Sequence, residues 1–196
     1  MTIFRIGCLA WGSLVWDPRT LPLAGAFRTD GPQLPIEFSR VAQDGRVTLV
    51  IDPTAREVQT QWVPLAVQSL DEAVAELGVR EKIPSESWPR WVGRVVEHDR
   101  SLDQGDTDRT VRRAISGWLE NQELDAVVWT ALPSRGPDGE TDRPGFDRLL
   151  GHLRSLDGEA RARAEEYIRR TPRSIGTAYR KRFEELLGWV SKDGDD

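Results

Sequence analysis

The sequence predicts an α+β fold in a single domain, a sheet-rich body with helices at its flank and C-terminus. Three observations carry this reading. Residues 3–64 hold apolar, β-prone runs cut by turn formers, residues 125–132 form a nearly continuous apolar stretch, and from Phe146 onward apolar residues recur at helical spacing. A chain of 196 residues buries roughly 70% of the surface its unfolded form exposes, enough for a core without disulfide or metal staples. The domain is expected to span residues 1–190, with 191–196 a frayed tail.

The first strand is read from Ile3 to Val15, passing through Gly12-Ser13 and stopped by Asp17-Pro18. Leu34–Val41 and Arg46–Asp52 form a hairpin, because Asp44-Gly45 between apolar segments is a strong turn signal. Glu57–Pro64 adds a further strand. Ser69 caps a helix with Glu72 as its capping-box partner, Leu70, Ala73, Val74 and Leu77 share one face, and Gly78 ends it. Trp91–Glu97 reads as strand, 99–108 as an acidic solvent loop and Thr110–Glu120 as helix. Asp125–Leu132 then suits a strand buried on both faces. The polar, Gly- and Pro-containing stretch 134–145 is a long loop of the kind that serves as a lid or lacks order. Leu149, Leu150, Leu153 and Leu156 define the next helix, Asp157-Gly158 breaks it, Ala160–Arg170 resumes, and Thr171-Pro172 starts the last one.

Composition excludes several functions. There are 27 basic and 32 acidic residues, for a net charge of -5. Only Lys82, Lys181 and Lys192 are lysines, leaving 24 arginines, but acids are interleaved among them and no nucleic-acid stripe forms. No apolar run approaches the ~20 residues that cross a bilayer, and the N-terminus has neither the basic segment nor the cleavage site of a signal peptide. A cytoplasmic location is expected. One cysteine, Cys8, rules out an intramolecular disulfide and a multi-cysteine zinc site, and its apolar strand makes it an inert core thiol. Most of the eight tryptophans are core anchors. The arginines and glutamates of 159–185 are salt-bridged exposed faces, with Tyr167, Ile168, Tyr179, Phe183, Leu186, Leu187 and Trp189 as the apolar side that packs on the sheet or meets a second copy.

Walker, Gly-x-Gly-x-x-Gly, Gly-x-Ser-x-Gly, His-Glu-x-x-His and Cys-x-x-Cys motifs are all missing. What remains is Ala10-Trp11-Gly12-Ser13-Leu14-Val15-Trp16, where a strand enters a loop through Gly-Ser. Taken alone this is an ordinary turn, although successive free amides there can also form an anion nest. Glu81, between Arg80 and Lys82, likewise reads as a solvated surface charge. Glu37 reads as a sheet-surface acid, with the barrel interior as the less favoured alternative, and Arg40 as a partner for either an internal acid or a substrate carboxylate. Glu97-His98-Asp99 holds metal-ligand residue types, but adjacent strand residues face opposite ways and cannot gather round one ion.

Trp11-Gly12-Ser13-Leu14-Val15-Trp16 resembles the Tyr-Gly-Ser-Leu-Ile-Trp loop of the ChaC-like branch of the γ-glutamylcyclotransferases, in the same place after the first strand. Leu77-Gly78-Val79-Arg80-Glu81-Lys82 is similar to the Arg-Glu-Lys segment that carries that branch's catalytic glutamate. Between them, Asp44-Gly45-Arg46-Val47-Thr48-Leu49-Val50 resembles the family's Gly-Arg-Val-Val-Thr-Leu strand. The resemblance covers residues 3–97. It implies a mixed β-barrel or sheet with flanking helices and a helical C-terminal segment. It also implies a cofactor-free, lyase-type reaction in which a substrate's α-amine attacks its γ-glutamyl carbonyl, closing 5-oxoproline and expelling an amine. Glu81 would be the general acid/base, the 12–14 amides with the Ser13 hydroxyl the oxyanion donors, and Trp11, Gly12, Ser13, Leu14 and Arg40 the substrate contacts. No metal is implied. The expected partners are a small γ-glutamyl-type substrate and a second copy of the chain, with neither nucleic acid nor membrane. Two departures bear on specificity: Trp11 replaces the family's tyrosine, and Ile83-Pro84-Ser85-Glu86-Ser87-Trp88 replaces the Gly-Gly-Tyr after Arg-Glu-Lys. They leave room for a second class of function, a catalytically inactive relative that binds a small ligand or a protein.

Overall fold

The computed structural model describes residues 4–97 and 109–191. His98 and Asp99 of the Glu97-His98-Asp99 triplet, the 99–108 loop, the start of the first strand at Ile3 and most of the tail lie outside the described residues. The chain divides into two units. The first comprises Met1–Ala10, Asp17–Leu34 and Gln59–Leu132, the second Trp11–Trp16, Pro35–Val58 and Pro133–Asp196.

In the first unit, β1 (Ile6–Ala10), β5 (Gln61–Pro64), β6 (Val92–Val96) and β7 (Ala126–Thr130) form a sheet in the order β5-β1-β7-β6. The central pair, β1 and β7, is parallel, and both outer pairings are antiparallel. Every residue of β1 and the first four of β7 are buried, as expected for strands covered on both faces. Helix α1 (Leu70–Arg80) packs on β7 and β6, and α3 (Arg109–Leu119) on β6. The first strand stops at Ala10, five residues before the expected end, because Trp11–Val15 is turned back by a Val15 N–H to Gly12 carbonyl bond of 3.0 Å.

Ser69 does cap α1, accepting from the Glu72 amide at 3.1 Å. The Glu72 carboxylate, however, accepts from Gln68 N–H rather than from the cap residue. Gly78 does not end the helix. It lies against the Trp88 indole, whose Nε1 donates to the Ile83 carbonyl at 2.9 Å, and a β-carbon there would collide with the ring. Trp88–Trp91 is a helical turn, α2, and the strand after it begins at Val92.

The second unit is built on β2 (Gln33–Val41), β3 (Val47–Ile51) and β4 (Glu57–Gln59), in the order β3-β2-β4, with α4 (Phe146–Ser155), α5 (Gly158–Arg170) and α6 (Ala178–Leu187). The predicted hairpin is present, with Gly45 at φ 85°, a backbone region that glycine enters without a Cβ penalty. The expected strand 57–64 is two strands in two sheets. Thr60 is the joint, fully buried, with its hydroxyl donating to the Pro32 carbonyl at 2.6 Å. Along α5, Arg163, Arg169 and Arg170 pair with glutamates one turn back, as the charge pattern predicts. Arg180 also pairs along its helix, with Glu184 at 3.1 Å, but it departs from the expected exposure. It is buried and donates through Nη1 to the carbonyls of Pro172 and Ile175, so 172–176 is a turn and α6 starts at a Thr177 cap rather than at Pro172. Phe183 stacks on Phe146 and meets Phe38 edge-on, whereas Leu186 is 47% exposed instead of packed.

Gly93 pairs with Trp129 across β6 and β7, and the fully buried Trp129 indole occupies the space a side chain would need. Gly93→Ala is expected to destabilise the protein by about 1–3 kcal/mol in urea unfolding. An unchanged midpoint would show that the indole can move aside.

Candidate active site

Glu81 closes α1. Its own amide and the two that follow complete the helix end, with Glu81 N–H to the Leu77 carbonyl, Lys82 N–H to that of Val79 and Ile83 N–H to that of Gly78, at 3.0, 3.0 and 2.9 Å. The last two bonds make a Schellman turn, which requires a left-handed residue after the cap. Lys82 fills that position at φ 56° although it is not glycine. Among the described residues only one other non-glycine has positive φ, Arg19 at 53°, and its Nη1 donates to the Arg80 carbonyl at 3.2 Å. Both left-handed side-chain-bearing residues therefore contact the Arg80–Glu81 segment. Such conformations cost roughly 1–3 kcal/mol each and gather at functional sites.

The Glu81 side chain is 20% exposed, so it is not the solvated charge that its neighbours in sequence indicate. Its Oε1 accepts from Arg80 Nη1, and Oε2 has no partner among the described residues. Arg80 is itself buried, and its Nη2 donates to the Asp17 carbonyl. Burial first, and the Glu81 charge second, push the Cys8 thiol far above its ordinary range, while Arg80 opposes them. Cys8 is thus an inert thiol, and Glu81 lies close enough to β1 to act on it. β1 ends two residues later at Ala10, and the chain re-enters this unit at Asp17. Asp17, where the chain re-enters this unit, is held by its carbonyl against Arg80.

Within the second unit, Trp11, Gly12 and Leu14 are buried and Ser13 is half-buried. Gly12 is pressed against Tyr167 of α5, where a β-carbon would collide with the phenol oxygen. That oxygen also accepts from Leu49 N–H at 3.4 Å, and the ring meets Trp16 edge-on at 5.4 Å. The amides of Gly12 and Leu14 donate to no acceptor among the described residues. Tyr167 is the contact that sequence reasoning missed, having been placed among the packing residues of its helix.

Arg40 is half-buried and donates through Nη1 to the Pro133 carbonyl at 2.7 Å. Burial, and then the charge of Arg135, lower its pKa. Glu37 is not at the sheet surface. It is 2% exposed, and its carboxylate accepts from the amides of Phe38 and Tyr179, the latter in the first turn of α6. Burial raises its pKa above the ordinary 4.5, against the pull of the Thr177 hydrogen bond, those two amides and Arg143. Among the described residues there is no cluster of three or more His, Cys, Asp or Glu fit to hold a metal, and no helix long and apolar enough to cross a membrane.

No family model matches the chain, and no curated protein matches it by sequence. Among solved structures, a yeast γ-glutamyl cyclotransferase specific to glutathione aligns with 98% of this chain and 100% of its own, at a TM-score of 0.51 and 13% identity. The chain has the γ-glutamyl cyclotransferase fold. In this cyclotransferase fold the sheets are two, of four and three strands, and the mixed α+β architecture is as predicted.

Lys82→Gly should stabilise the cyclotransferase fold by about 1 kcal/mol, since glycine removes the left-handed penalty at the Schellman turn; chemical denaturation measures it, and a loss of stability would show that the lysine side chain compensates for its own strain. Gly12→Ala is expected to cost about 1–3 kcal/mol, of which Tyr167→Phe in the same chain recovers part. A double-mutant cycle with no coupling would remove Tyr167 from the loop's support.

Proposed function

We propose that the protein is a γ-glutamyl cyclotransferase-type enzyme. It works without a cofactor. The α-amine of a γ-glutamyl substrate attacks the γ-carbonyl, a C–N bond closes 5-oxoproline, and the bond to the leaving amine breaks. Glu81 takes one proton from the α-ammonium before attack and a second from the same nitrogen once the ring bond has formed, and passes each to the departing nitrogen, which leaves as an ammonium, so the carboxylate ends as it began. The amides of Gly12, Ser13 and Leu14, with the Ser13 hydroxyl, stabilise the tetrahedral oxyanion. Trp11 and Arg40 contribute to binding.

The observation that carries the reading is the state of the Glu81 carboxylate. One oxygen is held by a buried guanidinium and the other has no partner among the described residues, in a side chain largely withdrawn from water. That is a fixed base with one working oxygen. That the amides of Gly12 and Leu14 meet no acceptor among the described residues supports the oxyanion role, because backbone N–H groups are ordinarily paired. The fold shared with the yeast enzyme supports the reaction class.

The test is release of 5-oxoproline from γ-glutamyl amines, γ-glutamyl dipeptides and glutathione. Turnover by the unaltered protein should fall by at least about 100-fold in Glu81→Gln with the far-ultraviolet circular dichroism unchanged. Full activity in the variant would remove Glu81 from the mechanism. Absence of release from every compound, in folded protein, would favour a noncatalytic ligand-binding role.

A further inference from the structure

Arg40 and Arg135 stand side by side in the second unit. A bulge in β2 between Phe38 and Arg40 sets these two residues opposite Leu49 and Thr48 of β3 and leaves Ser39 as the extra residue. Arg135 docks against this bulge as an isolated parallel bridge. Its amide donates to the Ser39 carbonyl at 3.0 Å, and its carbonyl accepts from Val41 N–H at 2.8 Å. The buried Ser39 hydroxyl accepts from the Ser134 hydroxyl at 3.1 Å, a further link between the two segments. Residues directly opposite in a bridge project to the same face, so two guanidinium groups are brought together by backbone bonds and not by any attraction of their own.

Neither arginine has a carboxylate within ion-pair distance among the described residues. The acids of the surrounding segments are engaged elsewhere: Asp138 and Glu140 pair with Arg148, and Asp52 pairs with Arg143. Two adjacent, half-buried like charges oppose folding, and no carboxylate among the described residues of this unit pairs with them. The mutual repulsion is visible in Arg40, whose pKa burial and the Arg135 charge both lower. A planar guanidinium fork matches a carboxylate bidentately, and two forks from one face offer both oxygens a donor.

We propose that Arg40 and Arg135 are a clamp for one carboxylate of a γ-glutamyl substrate. The proposal rests on the cyclotransferase reading for its choice of ligand. It adds Arg135 to the binding residues and makes the substrate an anion held by that group.

The test is calorimetric titration of the full chain with γ-glutamylalanine and with its two monoamides, one at the α-carboxylate and one at the C-terminus. One monoamide should bind at least tenfold more weakly than the free acid, and Arg135→Gln should bind that pair alike. Equal affinity for all three compounds with Arg135 in place, or no binding of any, overturns the clamp even if Arg135→Gln fails to fold. Discrimination that survives intact in a folded Arg135→Gln also overturns it. The titrations are made in the Glu81→Gln background, with Arg135 otherwise unaltered or replaced, so that binding is read without turnover. Carboxylate discrimination there, where the parent chain releases no 5-oxoproline, supports the clamp and counts against the reaction. Release without discrimination does the reverse.

Discussion

The buried guanidinium of Arg80 is the constraint on which the candidate site depends. At 3% exposure it has to be met by partners, and it finds them in the Glu81 carboxylate and the Asp17 carbonyl. A lysine at this position would present a point charge in place of a planar fork reaching two acceptors in different directions. Through those contacts one side chain fixes the direction of Glu81 and the place where the chain returns from Trp16. The left-handed residues Lys82 and Arg19 both meet the same segment, one by following Glu81 in the chain and one by donating to the Arg80 carbonyl, so their cost falls at the candidate site.

Much of the fold was legible because local rules and tertiary packing agree there. The Asp44-Gly45 turn, the Ser69 cap and the continuous burial of Ala126–Trp129 each follow from short stretches of sequence. Misreadings occurred where a distant partner overrides the local signal. Gly78 reads as a helix stop, but it is the seat of an indole ten residues on. Pro172 reads as a helix start, yet the carbonyls of Pro172 and Ile175 are taken by Arg180 and the helix waits for Thr177. Glu57–Pro64 alternates like one strand, and nothing in that alternation tells that Thr60 passes the chain from one sheet to another.

The site was legible to a different degree. Glu81 and the Gly12–Leu14 loop are singled out as candidates by short motifs, but their physical setting is not legible there, since local sequence describes Glu81 as a charge among charges. Arg40 was half legible: its strand position was clear, whereas its neighbour across the bridge, Arg135, comes from a loop 95 residues away. Tyr167 and Arg135 had no signal of their own. An aromatic on an amphipathic helix and an arginine in a polar loop look like packing and solvent, and only the approach of Gly12 and the bridge to β2 give them another meaning. Glu37 was misplaced because alternation along a strand does not say which face is covered, and here its carboxylate meets a helix N-terminus.

The chain passes between its two units five times, at 10/11, 16/17, 34/35, 58/59 and 132/133. No single scission can therefore liberate either unit whole. A fragment ending anywhere before residue 133 lacks all three helices of the second unit, and one beginning after Ala10 lacks the central strand of the first. Such interleaving is unlike the end-to-end joining of two ancestral modules.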